Sequence, residues 1–116
     1  MTGIDQLERV CPRYHHAVEL IGRRWSGAVL RSMLTGTERF GELRRAVPGI
    51  SDRMLSDRLK EFEAEGLVER RVIAETPVRI EYHLTPMGRA LLPVVEAVAV
   101  WAEEWLPLEA GQDLRA

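Results

Sequence analysis

The sequence predicts a single α+β domain: a helix-turn-helix followed by a β-hairpin, flanked by helices at both ends. Three observations carry that expectation. A short amphipathic segment over residues 39–47 meets a second one over 51–64 through the turn dipeptide Pro48-Gly49. Two strand-like runs, 67–73 and 78–84, stand on either side of Ala74-Glu75-Thr76-Pro77. A last apolar stripe follows Thr85-Pro86. At 116 residues the chain has the length of one ordinary domain and can bury about two-thirds of its unfolded surface.

Residues 1–13 read as an N-terminal arm closed by Cys11-Pro12. A helix is expected over 14–21, with Gly22 as its stop. Residues 25–34 carry Trp25, Val29, Leu30, Met33 and Leu34 on more than one face, the pattern of a helix buried on several sides. In 39–47, Phe40, Leu43 and Val47 recur at i, i+3 and i+7. Ser51 is a good N-cap for the next helix, Asp52 suits its positive end, and Gly66 stops it after Ala64. Val78, Ile80, Tyr82 and Leu84 alternate with Arg79, Glu81 and His83, the period of a half-buried strand. Thr85 and Pro86 read as N-cap and first residue of a C-terminal helix over 86–106. Pro93 lies inside that pattern and predicts a kink or a late start.

Apolar residues make up 46% of the chain and charged ones 29%, the balance of a soluble globular protein. The N-terminus carries Asp5 and Glu8 rather than the apolar core of a signal peptide, and the longest apolar run, 97–102, is too short for a bilayer. The expected location is therefore cytoplasmic. Net charge is −2, which by itself argues against nucleic acid, but the distribution is uneven. Residues 23–60 hold nine basic and four acidic side chains, whereas five acids and one base lie from Glu96 onward. A basic middle and an acidic tail permit a polyanion partner if they occupy different surfaces.

On a helical wheel with Leu55 at zero, Leu59 falls at about 40° and Phe62 at about −20°, one narrow buried stripe. Arg53, Asp57 and Lys60 cluster around the opposite pole with Ser56 on the flank. Any surface helix has a charged outer face, so this pattern alone fits plain solvated surface. Short helix, turn, capped helix and basic hairpin in that order make a winged helix, which most often binds DNA and in some copies only mediates protein contacts.

The stretches LIGRRW, RFGELRRAVPGIS, MLSDRLKEFEAEGLVER and PVRIEYHLTPMGRALLPVV, with Trp101 beyond them, resemble the HxlR-type winged-helix transcription regulators. The resemblance runs from Cys11-Pro12 to about Glu104, with the motifs in order. Many relatives carry a Gly-Lys pair before the tryptophan, where this chain has Arg23-Arg24. The resemblance implies a cytoplasmic DNA-binding homodimer that represses or activates transcription. It makes 51–64 the recognition helix, places Arg53, Ser56, Asp57 and Lys60 toward the major groove, and places Arg39 and Arg79 near phosphates or in the minor groove. Ser51 belongs to the same DNA-binding set. An arginine can bond bidentately to guanine, a serine can donate or accept, and an aspartate can accept from cytosine or hold a neighbouring arginine.

Some HxlR-type relatives use a cysteine just before a proline as a redox or electrophile sensor, and Cys11-Pro12 matches that place. Cys11 is the only cysteine, so it is either an incidental thiol or such a sensor, with Arg9 and Arg13 of the right sign to activate it. An oxidant or small-molecule effector is compatible with the second reading. His15 and His16 beside it lack a fourth ligand and any paired spacing, so no metal is expected. No nucleophile elbow, phosphate loop, dinucleotide fingerprint or metalloprotease helix is present, so neither enzyme activity nor a cofactor is expected. Finally, the stripe Leu91, Val94, Val95, Val98, Trp101 and Trp105 exceeds what one small domain needs for its own core. With Val18, Leu20 and Ile21 it is expected to pack against its copy across a two-fold axis, which calls for an inverted-repeat operator in double-stranded DNA.

Overall fold

In the computed structural model, which describes residues 11–107, six helices and one hairpin follow each other in the expected order. They are α1 (Pro12–Gly22), α2 (Ser26–Leu34), α3 (Phe40–Ala46), α4 (Asp52–Ala64), β1 (Val68–Ile73), β2 (Arg79–Leu84), α5 (Pro86–Arg89) and α6 (Leu92–Trp105). The core lies between α2, α3, α4 and the base of the hairpin. Val29, Leu30, Leu43, Val47, Leu55, Leu59 and Phe62 are sealed from solvent within it, and Leu67, Val68 and Leu84 close it from the hairpin side.

Four expectations need correction. The N-terminal arm was placed over 1–13, but α1 already starts at Pro12, whose missing N–H costs nothing in a first turn. The rest of that arm, residues 1–10, lies outside the described residues, as does Arg9. Gly22 closes α1 as its last helical residue, and the chain leaves through an extended Arg23. The single helix over 86–106 is two. Thr85 caps α5, its hydroxyl accepting from Gly88 N at 3.1 Å, and the chain breaks at Ala90-Leu91 before α6 begins with Pro93 in its first turn. Fourth, the polar face of the second strand is not open to solvent. The Arg39 backbone forms an antiparallel bridge with Glu81, and Tyr82 N donates to Glu38 O at 2.7 Å. Residues 38–39 thus run beside β2 through this isolated bridge and half-bury Glu81 and His83.

Two backbone positions fix the approach to α4. Trp25 has φ +74°, a left-handed conformation uncommon for so large a residue. Its indole reaches the turn before α4, where a Cβ on Gly49 (φ +92°) would stand 3.4 Å from the ring. Ser51 then caps α4, its hydroxyl accepting from Met54 N at 3.0 Å. At the far end Gly66 (φ +85°) stops the helix. Thr85 Oγ1 donates to Gly66 O at 2.6 Å and Thr85 N to Leu67 O at 3.0 Å, which draws the end of the hairpin onto the end of α4.

That junction leaves no room at Gly88, where a Cβ would collide with the Leu67 carbonyl oxygen and stand 2.9 Å from Leu84 Cδ2. Gly88→Ala is expected to lower the free energy of unfolding by about 2 kcal/mol in urea titration, because backbone cannot yield as a side chain can. Gly22→Ala, where a Cβ meets nothing within 4 Å, is expected to leave stability unchanged or slightly raised. An unaltered midpoint for Gly88→Ala would contradict the close junction.

Candidate nucleic-acid interface

Burying Leu55, Leu59 and Phe62 turns the opposite pole of α4 outward. Arg53 and Lys60 are exposed there, and Ser56 and Asp57 are half-buried beside them. Among the described residues neither Arg53, Asp57 nor Lys60 joins an intramolecular ion pair, although Arg44 on α3 holds Asp52 at 3.1 Å at the start of α4. Arg53 and Lys60, with Asp57 between them at the same pole of a capped helix, can engage a partner without first breaking internal ion pairs. Ser51 is exposed, and its hydroxyl is spent on the cap.

Arg58, counted with the basic segment, does not belong to this pole. It is 8% exposed and faces Glu61 Oε1 at 3.2 Å, and Arg23 NH1 reaches Glu61 Oε2 at 3.0 Å from the end of α1. On the wheel Arg58 sits at about −60°, at the edge of the buried stripe, so its inward turn was legible in the spacing. His16 Nε2 meets Glu65 Oε2 at 2.8 Å. Two ion-pair contacts therefore tie α1 to the C-terminal half of α4.

The hairpin carries a dense ionic face. Cross-strand pairs put Glu69 opposite His83, Arg71 opposite Glu81 and Ile73 opposite Arg79. Arg71 Nε pairs with Glu69 at 2.6 Å. Arg79, which the resemblance places near phosphates or in the minor groove, has NH1 3.1 Å from Glu75 and Nε 2.9 Å from Glu81. Arg39 is exposed, and it lines one cleft with Arg79, Phe40 and Pro77 between hairpin and α3. The Glu81 carboxyl is held below the usual carboxylate range, first by its hydrogen bond from His83 and then by the charges of Arg79, His83 and Arg39, against partial burial.

Glu38, Glu81 and His83 are the group of described residues whose composition suits a metal. Their carboxylates approach opposite ring nitrogens, Nε2 to Glu81 at 2.8 Å and Nδ1 to Glu38 at 2.9 Å. A metal takes one imidazole nitrogen, so binding it would break one of these contacts. His15 and His16 are engaged elsewhere, with Glu19 and Glu65.

Cys11 is half-buried at the N-cap of α1, remote in sequence from the α4 pole. Its thiol is held below the ordinary value, first by the Tyr14 backbone N–H, then by that of Arg13 and by the Arg13 side chain, against desolvation. The apolar surface expected at the chain's two ends divides. Leu91 packs against the core. Val94, Val98, Trp101 and Trp105 on α6 and Val18 on α1 are exposed. Ile21 joins Val94, Val95 and Val98 along a groove floored by Gly27, Ala28 and Arg31 of α2. None of the α6 residues is fully buried, and Val100 and Leu106 are exposed as well.

The HxlR-like helix-turn-helix family model matches residues 20–110. YvaP of Bacillus subtilis, named an HTH-type transcriptional regulator, is 48% identical over 97 residues, covering 84% of this chain and 90% of its own. The reduced form of the B. subtilis transcriptional regulator YodB superposes with a TM-score of 0.75 at 39% identity, covering 90% of this chain and 100% of that one. YodB has also been solved diamide-treated and quinone-bound. The redox regulator HypR in its oxidized form gives a TM-score of 0.77 at 39% identity over 84% of this chain and 100% of its own. No helix among the described residues is long and apolar enough to cross a membrane. The shared winged helix-turn-helix spans nearly all of the described residues, and the chain belongs to the HxlR-like helix-turn-helix family of transcription regulators.

Proposed function

We propose that this regulator acts in the cytoplasm as a homodimer that reads an inverted-repeat operator in double-stranded DNA. Arg53, Ser56, Asp57 and Lys60 of α4 face the major groove, with Ser51 at its N-cap. Arg39 and Arg79 lie along the flanking backbone or minor groove. The observation that carries this reading is the outward pole of α4, where Arg53 and Lys60 are exposed and free of internal ion pairs among the described residues. An operator is obtained by selecting genomic fragments with the purified protein. On that site Arg53→Ala is expected to relax preference at one base position, at a cost of about 1–3 kcal/mol against the correct base. Arg79→Ala is expected to weaken all sequences alike and to reduce the salt slope by less than about one unit, since its charge is shared with Glu75 and Glu81. Equal loss on specific and random duplexes for Arg53→Ala would remove it as a base reader.

The dimer reading rests on α6, whose exposed Val94, Val98, Trp101 and Trp105 leave a surface of the apolar kind that obligate dimers bury. Val18, Ile21 and Val95 extend that surface toward α1. Two copies related by a two-fold axis would set their recognition helices about 10 bp apart or a small multiple of that. The double substitution Val98→Asp and Trp101→Asp is expected to give a monomer by light scattering and to abolish operator binding. A wild-type monomer at micromolar concentration would refute the arrangement.

The thiol supports a sensing role: Cys11 sits at a helix N-terminus in a partly open, electropositive setting, and the similar YodB and HypR have been solved in different redox or ligand states. Diamide or a quinone is expected to change operator affinity in the wild type and to leave Cys11→Ser unaffected. Identical responses of the two proteins would make Cys11 structural.

A further inference from the structure

We propose that His83 and Glu38 form a binding site for one divalent transition-metal ion of the zinc type, and that the bound ion staples the wing to the segment entering α3. The site is independent of the DNA reading above.

The two ring nitrogens of His83 are not equivalent. Nε2 meets Glu81 Oε1 at 2.8 Å in hydrogen-bond geometry, so a neutral ring places its one proton there. A carboxylate behind one nitrogen fixes the tautomer and the orientation of the ring, which is how metal-binding histidines are ordinarily held. Nδ1 then carries a lone pair. Glu38 Oε2 lies 2.9 Å from it, an ion-pair distance, but off the direction in which an N–H would point, so no hydrogen bond joins them. Two acceptors this close with no proton between them are brought together favourably by a cation. An ion on the Nδ1 lone pair at about 2.0–2.1 Å would have Glu38 Oε2 at its side at a similar distance, with about 90° between the two bonds. Opening that angle toward tetrahedral asks Oε2 to recede by about 0.5 Å. Glu38 is 43% exposed and free to do so.

The other groups on this face leave the two ligands available. Glu81 is engaged on both oxygens, Oε1 by His83 and Oε2 by Arg79 Nε at 2.9 Å. It stands against the far nitrogen of the ring, so it orients His83 and does not reach an ion on Nδ1. Arg71 is held by Glu69, and Arg79 also by Glu75. Glu38 has His83 as its one ion-pair partner among the described residues. Glu38, Glu69, Glu75 and Glu81 stand against Arg39, Arg71 and Arg79, four acids to three bases, so an entering cation meets a net negative surface when the ring is neutral. Imidazole with carboxylate suits zinc, whereas magnesium and calcium take oxygen ligands. Water completes the coordination, which makes the ion exchangeable.

The position of the site decides what the ion does. The Glu38 carbonyl accepts from Tyr82 N at 2.7 Å, and the Arg39 backbone bridges Glu81. These are the backbone contacts by which the segment entering α3 holds the middle of β2, and the base of the hairpin is anchored apart from them by Leu67, Val68 and Leu84 in the core. An ion shared by Glu38 and His83 adds a bond across that same seam.

The test uses the full chain carrying Cys11→Ser, so that the thiol cannot take the ion. The protein is stripped with EDTA and titrated with zinc at about pH 7.5, where the ligands compete little with protons. NMR follows the ring nitrogens of His83, with His15 and His16 as internal controls, and hydrogen exchange follows the Tyr82 amide. The expected result is a saturable shift of His83 Nδ1 that EDTA reverses, with Nε2 still protonated and Tyr82 exchange slowed. Glu38→Gln and His83→Ala are expected to lose the saturable transition. Glu81→Gln is expected to keep it with affinity lowered about 10–100-fold, the effect of removing an orienting carboxylate. A His83 ring that zinc leaves unchanged, with shifts confined to His15 and His16, overturns the site, as does undiminished affinity in Glu38→Gln. Zinc on Nε2 in place of Nδ1 overturns the geometry, and Tyr82 exchange that ignores a bound ion overturns the staple. The His83 ring is read directly in the Cys11→Ser chain, so the result stands even if a further variant fails to fold.

Discussion

Helix α4 can bury only one narrow stripe, and the molecule is arranged around that constraint. Leu55, Leu59 and Phe62 are at most 1% exposed, so the rotation of α4 about its axis is fixed by packing rather than by its polar contacts. A rotation of even one residue's worth would drive Arg53 or Lys60 toward the core and expose an apolar side chain at a cost of about 1.5–3 kcal/mol. The polar pole is therefore a consequence of the core. The Ser51 cap, the left-handed Trp25 beneath Gly49 and the Thr85–Gly66 hydrogen bond then fix where α4 starts and stops.

Ionic contacts supplement that packing at the wing and at α1. The wing is anchored in the core by Leu67, Val68 and Leu84 and carries Glu38, Glu81 and His83 against the segment entering α3, whereas α1 reaches α4 and its C-cap through Arg23–Glu61 and His16–Glu65. Arg23 and His16 are more than half exposed, and pairs of that kind contribute only about 0–1 kcal/mol each.

Most of the fold was legible in the sequence, because its elements announce themselves locally. The caps at Ser51 and Thr85, the stop at Gly66 and the stripe of α4 depend on residues within a turn or two, and each stands where the spacing put it. What was not legible depends on segments far apart in the chain. Glu81 and His83 read as the open face of a strand because nothing in 78–84 says that residues 38–39 will pair beside it. The same long-range pairing holds Glu81 in place beside Arg79 from outside the hairpin. Leu91 read as dimer surface because the break before α6, which turns it to the core, comes from two helices meeting rather than from Pro93 alone.

These two kinds of attachment bear on how a signal at Cys11 could reach α4. Helix α1 has no fully buried residue; Leu20 packs against the core, Ile21 lies along α2, and Arg23 and His16 reach Glu61 and Glu65. Cys11 occupies its N-cap, the end farthest from Arg23 along the helix. In the sensing reading, a bulky or cross-linking modification at Cys11 acts on a helix without a sealed residue, and moving α1 would withdraw Arg23 from Glu61. Glu61 then stands against Arg58 alone, inside the turn of α4 that carries Lys60. A sealed hydrophobic stripe would keep α4 folded while this happened, so the signal would reorient or loosen that helix without melting it.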